Sequence, residues 1–151
     1  MDYLFVYGTL RNGINHRNGQ LLLEQTQYLG TATVSARLYD IGRYPGLVLA
    51  AGSGLQVHGD VFSLHHPERL LRILDEYEEC SPGFSRPQEY RRIRTRARLK
   101  QGGSITAWVY EYRHPVRNRK RIIQGDYLRY TGRDMSDISL ERGKSTGFDS
   151  Q

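Results

Sequence analysis

The stretch that most constrains the fold of this chain is Tyr3-Leu4-Phe5-Val6-Tyr7, followed at once by Gly8-Thr9-Leu10-Arg11. Five consecutive β-favouring residues are too few for an ordinary helix, and their unbroken apolar character suits a strand buried on both faces. A glycine directly after such a strand lets the backbone turn and lets another group approach it closely, because no Cβ stands in the way. The amides of Gly8, Thr9 and Leu10 can then converge on a concave space, as in an anion-binding nest. The Thr9 hydroxyl adds a further donor or acceptor. Read from these residues alone, the segment is either such a nest or a plain tight turn.

Further strands are written along the chain. Thr31 to about Leu38 alternates β-branched and polar residues, and Leu47–Ala51 and Gln56–Leu64 are apolar runs of strand length. Tyr44-Pro45-Gly46-Leu47 has Pro and Gly where a type II turn prefers them, and Gly52-Ser53-Gly54 reads as a hairpin-like break. Tyr90–Leu99 alternates Ile93, Thr95, Ala97 and Leu99 with Arg92, Arg94, Arg96 and Arg98, so one face is basic. Gln101-Gly102-Gly103-Ser104 turns it into a return strand, Ile105–Tyr112. Two short helices interrupt the strands. One covers Gln20 to about Gln27; the other opens at Pro67, with Leu70, Leu71, Ile73, Leu74 and Tyr77 as its apolar stripe. Gly125-Asp126-Tyr127 begins a last short element.

Many strands with few helices argue against a doubly wound sheet. They predict an α+β fold: a small, mixed, antiparallel-rich β-barrel with short helices packed outside. The 151 residues fit one domain, residues 1–132, with a polar, loosely ordered tail at 133–151. No apolar run approaches the roughly 20 residues of a membrane span. No secretory signal is visible, and the single Cys80 suits a reducing compartment, so a cytoplasmic protein is expected.

The net charge of +6 comes from 22 basic and 16 acidic side chains. It fits an anionic substrate, nucleic acid or simple solubility. The arginine strand could hold phosphates, pair with carboxylates across the sheet, or stay solvated. No recognised nucleic-acid module accompanies it, so nucleic acid is disfavoured. His58, His65, His66 and His114 lack ligand spacing, and no cysteine pair supports a zinc site, so no metal is expected. Cys80 has no visible partner base.

Glu78 stands out as a candidate acid/base. It follows the apolar helix where a core-facing stripe meets a loop, and Asp75, Glu76 and Glu79 are close in sequence. Neighbouring carboxylates and partial burial both raise a glutamate pKa toward the range useful for proton transfer near neutrality. A solvated acidic helix end is the bland alternative.

Tyr7-Gly8-Thr9-Leu10-Arg11 after a first strand resembles the opening motif of the gamma-glutamylcyclotransferase-like (AIG2-like) family. Further matches follow in order: Tyr44-Pro45-Gly46, Val57-His58-Gly59-Asp60-Val61, Leu74-Asp75-x-x-Glu78, Ala107-Trp108-Val109-Tyr110 and Gly125-Asp126-Tyr127. They span residues 3 to about 130. One position departs: Glu79, followed by Cys80, stands where the family commonly has Gly. The resemblance implies the same barrel, no metal or organic cofactor, and a small γ-glutamyl compound as substrate. It also implies a reaction in which the substrate's α-amine attacks its own γ-carbonyl, releasing 5-oxoproline and an amine. Glu78 matches the family's catalytic glutamate, the turn Tyr7-Gly8-Thr9-Leu10 is implied to bind the glutamyl group, and Tyr110 matches a strand position able to face the cavity. The rival expectation is a non-catalytic binder of a small acidic metabolite on the same fold. The leaving amine and the oligomeric state stay open at this level.

Overall fold

The computed structural model describes residues 1–8, 26–42, 44–77 and 90–132, the side chains of residues 73, 76 and 77 excepted. Its elements are β1 (Asp2–Val6), β2 (Thr26–Asp40), β3 (Pro45–Leu49), β4 (Gln56–Leu64), α1 (Pro67–Tyr77), β5 (Tyr90–Leu99), β6 (Ser104–Tyr112), β7 (Lys120–Arg121) and α2 (Tyr127–Tyr130). The five strands β1, β4, β2, β3 and β6 close into a mixed barrel. Three contacts in the ring are antiparallel. The two made by β6 are parallel, with Leu4 beside Trp108 and Leu47 beside Glu111. β5 pairs antiparallel with β6 along its length and touches β2 at Ala32 and Thr33. The predicted α+β barrel with short helices is therefore the observed fold.

Alternation along the strands sorts two apolar layers. Ala32, Val34, Ala36 and Leu38 of β2 point inward with Phe5, Tyr7, Leu47, Val61 and Val109 to fill the barrel. Leu4 and Val6 of β1 point the other way, with Phe62 and Leu64, and meet Leu70, Leu71 and Leu74 of α1. β1 is thus buried on both faces, as its unbroken sequence requires. Leu70 and Leu74 are fully buried, each contributing roughly 2–3 kcal/mol of transfer free energy to holding the helix on the sheet.

The structure corrects several local expectations. Pro45 and Gly46 are not turn residues; they open β3, opposite Asp40 and Tyr39. A proline is tolerated as the first residue of a strand. Gly46 is needed there for space, since an added Cβ would stand 2.9 Å from the Tyr112 side chain. The chain instead reverses just before it, where the Ile41 amide bonds the Tyr44 carbonyl. Gly52-Ser53-Gly54 is not a hairpin tip, because β3 and β4 lie on opposite sides of β2 rather than beside each other. β2 begins at Thr26, so the end of the expected Gln20–Gln27 helix is strand; residues 20–25 lie outside the described region. The polar tail at 133–151 lies outside it too.

Candidate active site

The register of β1 decides what surrounds the end of that strand. Asp2 pairs with Leu64 and Val6 with Asp60, so α1, which follows Leu64, starts at the Asp2 end of the barrel. β6 runs parallel to β1 with Trp108 beside Leu4, so Tyr110 lies near the Gly8 end. There the Tyr110 hydroxyl donates to Asp75 Oδ1 at 2.7 Å, which brings the last turn of α1 to the Gly8 end of the barrel.

Of the residues singled out from sequence, Tyr7, Gly8 and Tyr110 are described; Thr9, Leu10 and Glu78 lie outside the described residues. Tyr7 points into the barrel. Its hydroxyl donates to the Tyr110 carbonyl at 2.5 Å and accepts the Leu47 amide at 3.3 Å. Its side chain is committed to the interior. Gly8 does not adopt a left-handed backbone. Its glycine is explained by close approach instead: an added Cβ would stand 3.1 Å from Cγ of Pro45. The Pro45 carbonyl in turn accepts the hydroxyl of Tyr90 at 2.7 Å. Tyr44 and Tyr112 flank the Tyr90 ring, so this end of the barrel is walled with tyrosines.

Two carboxylates here carried no assignment from sequence. Asp75 accepts from Tyr110 and also forms a two-point ion pair with Arg92, Nε to Oδ1 at 2.7 Å and Nη2 to Oδ2 at 3.0 Å. Asp60 is 1% exposed and accepts the Tyr28 hydroxyl at 3.0 Å. A charged residue within the apolar run Val57–Leu64 is the sequence signal for Asp60. For Arg92 there was none, since it is one of four alternating arginines.

The arginine strand resolves into different roles. Arg91 pairs with Glu111 and Arg92 with Asp75. Arg92 and Arg94 both lie 4.4 Å from the Trp108 ring centroid, and Arg96 bonds the Ser104 hydroxyl. Of the four arginines on the basic face Arg92 pairs with a carboxylate, that of Asp75 on α1, while Arg91, outside that face, pairs with Glu111 on the neighbouring strand. Among the described residues no three His, Cys, Asp or Glu side chains gather as a metal-holding group, and no helix is long and apolar enough to cross a membrane.

Comparison with known proteins agrees with this architecture. A family model described as gamma-glutamyl cyclotransferase, AIG2-like, matches residues 4–129. The chain is 34% identical over 127 residues to the gamma-glutamylcyclotransferase family protein YtfP of Escherichia coli, covering 83% of this chain and 95% of that protein. The solution structure of E. coli ytfP superposes with a TM-score of 0.58 at 31% identity, covering 85% of this chain and 98% of the other. Over 114 residues the chain is 36% identical to the gamma-L-glutamyl-butirosin B gamma-glutamyl cyclotransferase of Niallia circulans, covering 74% of this chain and 67% of that one. It is also 35% identical over 120 residues to the gamma-glutamylaminecyclotransferase of Bos taurus, covering 71% of this chain and 63% of that one. The protein belongs to the gamma-glutamyl cyclotransferase, AIG2-like family.

Proposed function

We propose that this protein is a cyclotransferase that releases 5-oxoproline from a small γ-glutamyl amine or peptide, with Glu78 as its acid/base. Two relatives are named for γ-glutamyl cyclotransfer, one from a γ-glutamyl amine and one from γ-glutamyl-butirosin B. The observation that carries the reading is the continuous link Asp75–Tyr110–Tyr7 beside Gly8. It joins the helix that precedes Glu78 in sequence to the strand that precedes Gly8, Thr9 and Leu10.

Ring closure needs a neutral α-amine, so a base must take a proton from the ammonium form. The departing amine then needs a proton, and one carboxylate can serve both steps. Glu78 is assigned that role. The amides of Gly8, Thr9 and Leu10 are assigned the glutamyl carboxylate or the oxygen of the attacked carbonyl. Holding the glutamyl chain folded back on itself supplies proximity. Tyr110, whose hydroxyl donates a hydrogen bond to Asp75, is assigned to orienting the substrate. Tyr7 contributes through its main chain.

The test is 5-oxoproline release from a panel of γ-glutamyl amines and peptides, wild type beside Glu78→Gln. That substitution keeps the shape and removes the base. Release that collapses in the variant is the expected result. A folded wild type that binds a glutamyl ligand and releases nothing from any panel member would make the protein a binder instead.

A further inference from the structure

We infer that Asp75 is a positioning residue, which latches the last turn of α1 to β5 and β6 and thereby holds the acid/base that follows the helix. The inference rests on the cyclotransferase reading for its link to catalysis; the latch itself stands on geometry.

The sequence gives this helix end a problem. The C-terminal end of a helix carries partial negative charge and favours cations. Here the last turn contains Asp75 and Glu76 and no basic residue. Among the described side chains of the helix, Leu70, Leu71 and Leu74 form the apolar seat, and all three precede Asp75.

Three partners from the sheet meet that need. Arg92 of β5 supplies the missing cation as a planar fork on both oxygens of Asp75, the geometry that makes an arginine–carboxylate pair strong. Tyr110 of β6 adds a hydroxyl to Oδ1. Trp108 of β6 lies under the Arg92 guanidinium and is tied by its indole N–H to Asp2 of β1, at 3.3 Å. Isolated exposed ion pairs contribute little. This one is three-quarters shielded, with the side chains of Arg92 and Asp75 25% and 21% exposed, and it shares a third hydrogen bond. The partners lie 17 and 35 residues from Asp75, so the latch binds the helix end to the barrel rather than to its own neighbours.

The experiment has two readouts on Asp75→Asn and, as a milder variant that keeps the charge and loses the fork, Arg92→Lys. The first is amide hydrogen exchange without ligand. Amides of residues 74–77 are expected to exchange at least about tenfold faster, while those of β1 and β4 keep their protection. The second is 5-oxoproline kinetics, where kcat is expected to fall about tenfold or more in both variants, with KM within about twofold in Arg92→Lys, which leaves the Tyr110–Asp75 hydrogen bond in place. Unchanged exchange at 74–77 in both folded variants overturns the latch. Faster exchange with wild-type kcat overturns its positioning role. A wild type that releases no 5-oxoproline, with faster local exchange in the variants, leaves the latch standing and removes the cyclotransferase reading.

Discussion

The hydroxyl of Tyr7 donates to the main-chain carbonyl of Tyr110 across the barrel, at 2.5 Å. The same oxygen accepts the Leu47 amide. One phenol therefore ties β1, β6 and β3 together near the Gly8 end. Tyr7→Phe keeps the ring and removes both of these buried hydrogen bonds. A destabilisation of about 1–3 kcal/mol is expected, read from the shift of the urea unfolding midpoint at unchanged slope.

Gly59 lies in β4 directly against β1. A Cβ there would stand 2.3 Å from the Val6 carbonyl oxygen and 2.6 Å from Cζ of Phe5. The first obstacle is backbone in a barrel strand, and the second is a ring that is 1% exposed; neither can step aside cheaply. Gly59→Ala is expected to cost at least about 2 kcal/mol, seen as a lower thermal midpoint or loss of soluble folded protein. Wild-type stability in this variant would contradict the β1–β4 register.

Leu74 is fully buried between α1 and the sheet. Truncation to Ala removes contact from both sides of that layer and leaves a cavity. A loss of about 2–5 kcal/mol is expected by chemical denaturation. Because Leu74 immediately precedes Asp75, 5-oxoproline release should fall as well, beyond what the folded fraction explains.

Tyr130 predicts a pH dependence remote from the site. Its hydroxyl donates to Asp40 Oδ2 at 2.7 Å, and this hydrogen bond to a carboxylate raises the tyrosine pKa above its ordinary value. The folded state therefore holds the phenolic proton more tightly than the unfolded chain does. The stability from this bond is fully present below the unfolded pKa of about 10 and is lost as pH rises through the higher folded value. Tyr130→Phe should flatten that alkaline loss, measured as unfolding midpoints against pH. Equal alkaline slopes in the two proteins would show that the bond does not persist in solution.

The sequence by itself determined where most elements lie and which faces they bury. Tyr90–Leu99 was legible to the residue because its apolar and charged side chains alternate, and Gln56–Leu64 because a run of strand length stands between turn signals. The start of α1 at Pro67 was legible because proline suits a first helical turn. These are local properties, carried by periodicity and by single residues with restricted backbones. Tertiary structure decided what those properties were used for. Pro45 and Gly46 became strand rather than turn because β3 is paired with β2 and crowded by Tyr112. The close approach that Gly8 allows proved to be that of Pro45. Asp75 looked like one more carboxylate at an acidic helix end, and Arg92 like one arginine among four. Only the closure of the barrel, with β6 parallel to β1 and β5 beside it, brings them within 2.7 Å of each other. Pairings of that kind depend on strand register between distant segments, and no local pattern of residues encodes it.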